Sequence, residues 1–343
     1  MKIVRSSCSP YILKFKLPFS TSKGKISERK GFLIKLDSAN GKSGYGDCCP
    51  LPDFGSESYE QAEAKIKDLE LKIRIDTNDF EQSILKTLEP LNGFPTLRHG
   101  FEQALLNLIS RDMNLSLNEI LNSSSKKIIN VNAAIGFLSP EDSASKAKEL
   151  VSKGYKTIKL KVGRKIFEED YACIKAVREN IGKEINLRID ANGKWNLSEA
   201  ISSLKQLERF GIEYVEQPLN KIDEYLALTH KTKIPLAADE SIRSLKDAYD
   251  FISRKAVSVI ILKPMMLGGV IPTLKIIEYA QENKIKVVVT TSLDSCIGRS
   301  FAVLAASFVE QETAHGLGTA ELFENDLFPD PYPVKNGQIS LAN

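Results

Sequence analysis

The chain has 343 residues, of which 42% are hydrophobic and 27% are charged. This length exceeds that of one ordinary small domain, and the composition is that of a globular protein with enough apolar residues for a large core. Because 47 basic residues nearly balance 44 acidic ones, the net charge of +3 argues against a nucleic-acid-binding protein.

The cysteines and the apolar runs indicate where such a protein works. The five cysteines are an odd number without CxxC spacing, which argues against a disulfide framework and against a zinc site. The first residues contain no apolar run of signal-peptide length, and no stretch of the chain approaches the length of a membrane span. We therefore expect a soluble, cytoplasmic protein with neither a nucleic-acid nor a membrane partner.

Residues 1–123 have the pattern of an α+β domain. Alternating apolar residues predict short strands at 2–8, 12–17, 31–36 and 44–48, and Asn40-Gly41 predicts a hairpin between the last two. Residues 18–26 are polar and glycine-containing, which is typical either of an exposed turn or of a lid over a neighbouring site. Helical spacing of apolar residues then predicts three helices, near 62–69, 80–88 and 96–109.

From residue 124 to residue 320 strands alternate with helices. Eight short apolar runs predict the strands, and seven amphipathic stretches predict the helices between them. This rhythm predicts an α/β fold, a (β/α)7β barrel of the TIM type behind the N-terminal α+β capping domain. The proline-rich residues 321–343 are expected to return to the first domain.

Five consecutive strands of this barrel end in a charged residue. Because barrel enzymes place their chemistry at the carboxyl ends of the strands, we expect these side chains to meet at one rim. They are Lys159 and Lys161, Asp190, Glu216, Asp239 and Lys263.

The charges at the rim suggest a metal ion facing a base. Asp190, Glu216 and Asp239 would raise one another's pKa unless a cation lies among them, and oxygen ligands without His or Cys favour Mg²⁺. Residues two apart on a strand share a face, so Lys159 is expected to lower the pKa of Lys161 by repulsion and make it a general base. A metal opposite a lysine suits abstraction of a proton α to a carboxylate.

Each of these features also has an interpretation that involves no catalysis. A single charge at a strand end is usually a solvated boundary, and only the six together indicate a site. Gly268-Gly269 lacks the rest of a phosphate-binding motif and favours a close-packed turn. A non-catalytic barrel used for binding or assembly would be expected to lack one of the six residues, and none is missing.

With these motifs the chain resembles the enolase superfamily, in its muconate-lactonizing-enzyme subgroup, over nearly its whole length. The resemblance implies that Lys161 and Lys263 are the acid/base pair and that the three acids bind Mg²⁺, with Mn²⁺ as an alternative. It also implies that residues 19–25 close over a small carboxylate substrate and that the protein can form a homo-oligomer. The motifs that carry it are Lys159-Leu-Lys161, Asp190-Ala-Asn192, Val215-Glu-Gln-Pro218, Ala238-Asp-Glu-Ser241 and Leu262-Lys-Pro264. Lys159, Asn192 and Glu240 would support the ligands from beside them.

Four segments are most similar to the o-succinylbenzoate synthases of menaquinone biosynthesis. These lie at residues 20–24, 263–269, 290–298 and 314–320. The likeness implies Mg²⁺-dependent dehydration of 2-succinyl-6-hydroxy-2,4-cyclohexadiene-1-carboxylate. The side chains that it implies for substrate binding are Ser20, Thr21, Ser292, Leu293 and His315.

The alternatives within the subgroup are a dipeptide epimerase and an N-acylamino-acid racemase, both of which are isomerases that use the same two lysines. Such epimerases typically carry Asp-x-Asp at the last strand end, and residues 316–321 contain no such pair. The racemase shares these residues and stays open, whereas a muconate cycloisomerase matches the last two segments less well.

Overall fold

An antiparallel sheet opens the chain in the computed structural model, which describes residues 1–21, 24–69, 73–121 and 124–341. Its strands lie in the order β1 (Ile3–Thr21), β2 (Gly24–Ser38) and β3 (Ser43–Cys48). Apolar side chains of β2 alternate with half-exposed ones and are buried at Phe32, Ile34 and Leu36. One face of the sheet therefore packs into the core.

Two predictions for this sheet were wrong. The strands expected at 2–8 and 12–17 are one strand, because β1 lies at the sheet edge, where a proline such as Pro10 is tolerated. Residues 18–26 are not a loop throughout, since Phe19 pairs with Ile26 and Thr21 pairs with Gly24. Residues 22 and 23, at the centre of the expected lid, lie outside the described residues.

The sheet packs against helices that follow it, among which the long α3 crosses β3. Gly46 makes this contact possible, because a Cβ added there would lie 1.8 Å from the carbonyl oxygen of Gly100. Helix α3 ends at Asn114, which adopts a left-handed conformation as its C-cap. The helices of this region are α1 (Tyr59–Lys67), α2 (Phe80–Thr87), α3 (Pro95–Met113) and α4 (Leu117–Ile120).

A parallel sheet of seven strands forms most of the barrel, in the order β11-β10-β9-β8-β7-β6-β5. Its strands are β5 (Ala133–Ile135), β6 (Thr157–Lys161), β7 (Asn186–Asp190), β8 (Ile212–Glu216), β9 (Leu236–Ala238), β10 (Val259–Leu262) and β11 (Lys286–Val289). The described helices that alternate with these strands are α5 (Pro140–Ser152), α6 (Phe167–Ile181), α7 (Leu197–Leu207), α8 (Ile222–Thr229), α9 (Leu245–Ser253), α10 (Val270–Glu282) and α11 (Cys296–Ser307).

Two further strands close the ring. The strand β12 (Ala314–His315) pairs in parallel with β4 (Ile128–Val131), which continues into β5 after Asn132. On its other side Gly316 pairs with Thr290 just beyond β11, and its N–H donates to the Val289 carbonyl at 2.9 Å. The predicted (β/α)7β barrel behind an α+β unit is confirmed.

Alternate side chains along each barrel strand point to opposite faces of the sheet, one toward the helices and one into the ring. Ile260, Leu262 and Val289 belong to the large core beneath the helices. The alternate residues form a separate buried cluster inside the ring, consisting of Tyr214, Ala237, Val259, Ile261 and Val288. A packed core therefore fills the barrel below the rim, and polar chemistry is confined to the strand ends.

The C-terminal segment that begins at residue 321 contacts both the N-terminal sheet and the barrel. Phe323 pairs with Phe15 of the N-terminal sheet, whereas β13 (Gln338–Ser340) pairs antiparallel with β4 of the barrel. The division at residues 123/124 and 320/321 stays a prediction. Within the described ranges, no helix has the length and apolarity needed to cross a bilayer.

We expect Gly46→Ala to destabilise the fold, because the added methyl group overlaps the α3 backbone and can be accommodated only by moving the helix away from the sheet. Overpacking of this kind typically costs about 1–3 kcal/mol. The matched control is Gly136→Ala, since no heavy atom lies within 4 Å of a Cβ added there. The midpoint of urea unfolding, followed by circular dichroism, should fall for Gly46→Ala only, and equal midpoints for both variants would contradict the close packing.

Candidate active site

Strand register brings the charged residues of the sequence motifs to one rim. Lys161 pairs with Asp190, and Asp190 pairs with Glu216, so these three residues lie at one level of adjacent strands. Glu216 also pairs with Ala237, which places Asp239 just beyond the end of β9. The carboxylates are nearly inaccessible to solvent, with exposed fractions of 3% for Asp190, 2% for Glu216 and 6% for Asp239.

Each carboxylate has a lysine as its ion-pair partner. The Nζ of Lys159 lies 2.8 Å from Oε1 of Glu216 and 3.3 Å from Oδ2 of Asp190. Asp239 instead pairs with the ammonium group of Lys263. Among the described residues, no three His, Cys, Asp or Glu side chains are grouped closely enough to hold a metal ion. Asp190 and Glu216 thus share one cation, and Asp239 faces another.

Burial and repulsion make Glu216 reluctant to ionise. Its pKa is raised to about 8, mainly by burial and also by the charges of Asp190 and Asp239, against the opposing effect of Lys159. A buried anion of this kind is stable only beside a cation. Lys159 supplies that positive charge to Asp190 and Glu216, and Lys263 supplies one to Asp239.

The pKa values of the three lysines at the rim are shifted in different directions. Burial by itself would lower the pKa of Lys159 and of Lys263, but the neighbouring carboxylates outweigh it, and the pKa of each ammonium group is raised. The pKa of Lys161 is lowered, by burial first and then by repulsion from Lys159, against the attraction of Asp190. The expected direction for Lys161 is confirmed, although burial contributes more to it than Lys159 does.

Asn192 and Glu240 form a bridge across the rim. The side-chain amide of Asn192 donates to Oε1 of Glu240 at 2.9 Å, and its backbone N–H donates to Oδ1 of Asp190 at 3.1 Å. Asn192 has a φ of 45°, a left-handed conformation that asparagine tolerates better than most residues. The ends of β7 and β9 are therefore tied together on either side of Glu216.

The N-terminal unit reaches the barrel mouth through Phe54, which the sequence analysis missed. The Nζ of Lys263 lies 5.2 Å from the centre of the Phe54 ring. Phe54 ends a short 3-10 turn, Pro52–Phe54, and packs with Leu51, Met265 and Met266. The sequence signal for Phe54 was an aromatic residue in a proline turn directly after the sheet. That pattern does not indicate that the ring lies beside Lys263.

A buried polar network also joins the N-terminal sheet to the loop after β11, and no sequence pattern predicted it. Asp47 accepts hydrogen bonds from the Tyr11 hydroxyl at 2.5 Å and from the backbone N–H of Ser295 at 3.0 Å. Arg29 donates to the carbonyl oxygens of Pro50 and Leu293 at 2.8 and 3.3 Å. These contacts hold the N-terminal unit over the strand ends.

The residues expected to bind substrate differ in what the structure shows of them. Ser292 is buried, and its Oγ has no hydrogen-bond partner within the described part of the chain. Leu293 packs with Phe15 and Phe323. The Nδ1 of His315 accepts a hydrogen bond from the Val289 N–H at 3.0 Å inside the barrel, and burial lowers the pKa of this imidazole to about 3.

The side chains of Ser20 and Thr21 lie outside the described residues. For all five of these residues a role in substrate binding stays a prediction.

The kinds of donor fit Mg²⁺, and the three carboxylates would have to leave Lys159 and Lys263 and turn toward one another to hold it. The donors are carboxylate oxygens on three adjacent strand ends, without His or Cys, in a place where their charges need compensation. The same ends present Lys161 and Lys263 on either side of the acids. Such an arrangement can remove a proton next to a carboxylate and stabilise the charge that results.

Family comparisons agree with this geometry. Residues 142–343 match the model described as "Enolase C-terminal domain-like", and residues 9–108 match "MenC, N-terminal domain". An o-succinylbenzoate synthase from Thermobifida fusca is 36% identical over 62% of this chain and 66% of its own length. An N-succinyl-L-Arg/Lys racemase from Bacillus cereus is 26% identical over 88% of this chain and 82% of its own.

A solved structure supports the same relationship. The dipeptide epimerase from Cytophaga hutchinsonii, complexed with Mg and the dipeptide D-Ala-L-Val, superposes with a TM-score of 0.89 at 28% identity. The match covers 99% of this chain and 93% of that one. With a family model covering its barrel and relatives of both lyase and isomerase activity, the chain belongs to the enolase superfamily of enzymes.

Proposed function

We propose that the protein is an o-succinylbenzoate synthase, which dehydrates 2-succinyl-6-hydroxy-2,4-cyclohexadiene-1-carboxylate to 2-succinylbenzoate. The observation that carries the proposal is the match of residues 9–108 to the MenC N-terminal domain. This is the part of the chain that covers the barrel mouth, with Phe54 over Lys263, so it is the part expected to differ between substrates. The identity with the Thermobifida fusca synthase supports the proposal independently.

The lysines supply the proton transfers. Lys161, whose pKa is lowered, takes the proton from the ring carbon that bears the carboxylate. The electrons of that C–H bond pass into the carboxylate as an enediolate. They then return to form the ring double bond as the C–O bond breaks, and Lys161 gives its proton to the leaving hydroxide to form water. Lys263, whose pKa is raised, stays protonated and stabilises the enediolate.

Asp190, Glu216 and Asp239 would hold Mg²⁺ beside the substrate carboxylate. The ion, when bound, supplies positive charge where the enediolate develops. The residues of the chain have two further tasks, since Asn192 and Glu240 keep the strand ends in place and the N-terminal unit excludes water. Aromatisation of the ring favours the elimination, so the site mainly positions the substrate and stabilises charge.

A second candidate is an N-succinylamino-acid racemase. It is favoured by the racemase relative, which aligns over most of the chain. The same two lysines would then act as base and acid on opposite faces of the α-carbon. A dipeptide epimerase fits less well, because its substrate carries an ammonium group and the last strand end, residues 316–321, offers only Glu321 as an acid.

The proposal is tested by mixing the purified protein with Mg²⁺ and the cyclohexadiene substrate and following formation of 2-succinylbenzoate by its absorbance. We expect rapid aromatisation and slower racemisation of N-succinylamino acids. Fast racemisation without aromatisation would reject the synthase in favour of the second candidate. Absence of both reactions would reject the two together.

Replacing the proposed base should remove most of the activity without unfolding the protein. We expect Lys161→Ala to lower kcat by at least about 10²–10⁴-fold, the range typical for loss of a general base. The matched control is Lys205→Ala, because Lys205 is an exposed lysine on α7, outside the barrel. Wild-type turnover by Lys161→Ala, with both variants showing the wild-type circular dichroism spectrum, would exclude Lys161 as the base.

Removing the metal or one of its proposed ligands should have a graded effect. EDTA is expected to abolish turnover and excess Mg²⁺ to restore it. Glu216→Gln should raise the Mg²⁺ concentration for half-maximal rate by more than about tenfold, since even changes beside a metal ligand cost 10–100-fold. Glu184→Gln, at an exposed glutamate, should leave this concentration unchanged. Calorimetric titration should likewise show a lower affinity for Mg²⁺ in Glu216→Gln than in Glu184→Gln. Equal affinities in the two variants would argue against Glu216 as a ligand.

A further inference from the structure

Lys194 crosses the end of the strand that carries Lys161. It leaves the loop after β7, where its backbone N–H donates to the Ala191 carbonyl at 3.1 Å. Its ammonium group lies 4.6 Å from the centre of the Phe137 ring, in the loop after β5. Because β6 lies between β5 and β7, the side chain crosses the chain just beyond the carboxyl end of β6, at Gly163.

Gly163 makes room for this crossing. A Cβ added to Gly163 would lie 3.0 Å from Cδ and 3.1 Å from Cβ of Lys194, and the glycine has a φ of 94°. The aliphatic part of Lys194 therefore packs directly on the backbone two residues beyond Lys161. A larger residue at 163 would be strained at this φ and would require Lys194 to shift by a few tenths of an ångström, so glycine is suited to this close contact.

The ammonium group of Lys194 has no carboxylate to neutralise it within the described ranges. Its neighbour on the Phe137 ring is the Arg164 guanidinium, at 4.9 Å from the ring centre. Arg164 is already paired with Asp170 at 2.5 Å, whereas Lys194 forms no salt bridge among the residues that the structure describes. Two cations on one ring repel each other, and an anion bound between Lys194 and the mouth would relieve that repulsion.

The position of Lys194 relative to the three acids indicates which kind of anion it could bind. The carboxylate at the reacting carbon is expected at the opposite side of the mouth, near Asp190, Glu216 and Asp239. A second negative group on the same substrate, reaching past Lys161, would meet Lys194. The substrate of the proposed function has such a group in its succinyl chain, and so does an N-succinylamino acid.

We propose that Lys194 is a specificity-determining residue that binds the distal carboxylate of a dicarboxylic substrate. This inference rests on the proposed function for the identity of the substrate. The recognition itself depends only on the distal negative charge and is therefore measurable by binding. An ammonium–carboxylate hydrogen bond of this kind is typically worth about 1.5 kcal/mol or more, which is roughly tenfold in affinity.

The test compares two ligands and three variants by calorimetry in the presence of Mg²⁺. The ligands are 2-succinylbenzoate and its analogue with a neutral carboxamide at the succinyl end. We expect Lys194→Gln to lower the affinity for the diacid about tenfold and the affinity for the amide by less than twofold. Lys194→Arg should retain both affinities. The matched control Lys165→Gln removes an exposed positive charge from the neighbouring loop and should change neither.

Kinetics give a second readout. In Lys194→Gln the KM for the cyclohexadiene substrate should rise about tenfold with kcat nearly unchanged, as expected when binding is lost equally in the ground and transition states. Equal losses for diacid and amide, or the same loss in Lys165→Gln, would overturn the assignment of Lys194. Failure of the wild type to bind the diacid would overturn it as well. If the protein binds the diacid but does not dehydrate the cyclohexadiene substrate, the proposed function is rejected. The assignment of Lys194 as the residue that binds the distal carboxylate is then unaffected.

Discussion

The balance of charge at the end of the barrel is the constraint on which the rest of the site depends. Three carboxylates with almost no exposure lie on adjacent strands, and each isolated buried anion would cost several kcal/mol. Lys159 between Asp190 and Glu216, and Lys263 against Asp239, compensate that cost. A dication that replaced these contacts would release the ammonium groups of Lys159 and Lys263 from the acids, so ion binding would also change the charge environment of the rim.

The N-terminal unit belongs to the same site in physical terms. Arg29 and Asp47 join it to the loop after β11 through buried hydrogen bonds, and breaking either set would leave polar groups unpaired. Phe54 then lies over Lys263. The N-terminal unit and the strand ends are thereby held at fixed separation, although they come from regions more than 200 residues apart in sequence.

The sequence predicted those parts of the structure that follow from local periodicity. Apolar runs ending in charge located β6 to β10, and alternation along those strands sent Lys161, Asp190 and their partners to one rim. The separation predicted between strands 2–8 and 12–17 was wrong, because a proline between them is tolerated where β1 is an edge strand, which is a property of the whole sheet. Phe54 and Asp47 were missed for the same reason, since their partners lie hundreds of residues away and leave no local pattern.

The choice between lyase and isomerase cannot rest on the barrel motifs, because both reactions begin with the same proton transfer. A dehydratase needs its leaving hydroxyl within reach of the lysine that took the proton, whereas a racemase needs the opposite lysine to return a proton to the other face. Which of these occurs depends on how the substrate is turned above the metal ligands. If the far end of the substrate is held at the rim, as proposed for Lys194, the rim residues contribute to that orientation and the acids and bases alone do not determine the reaction.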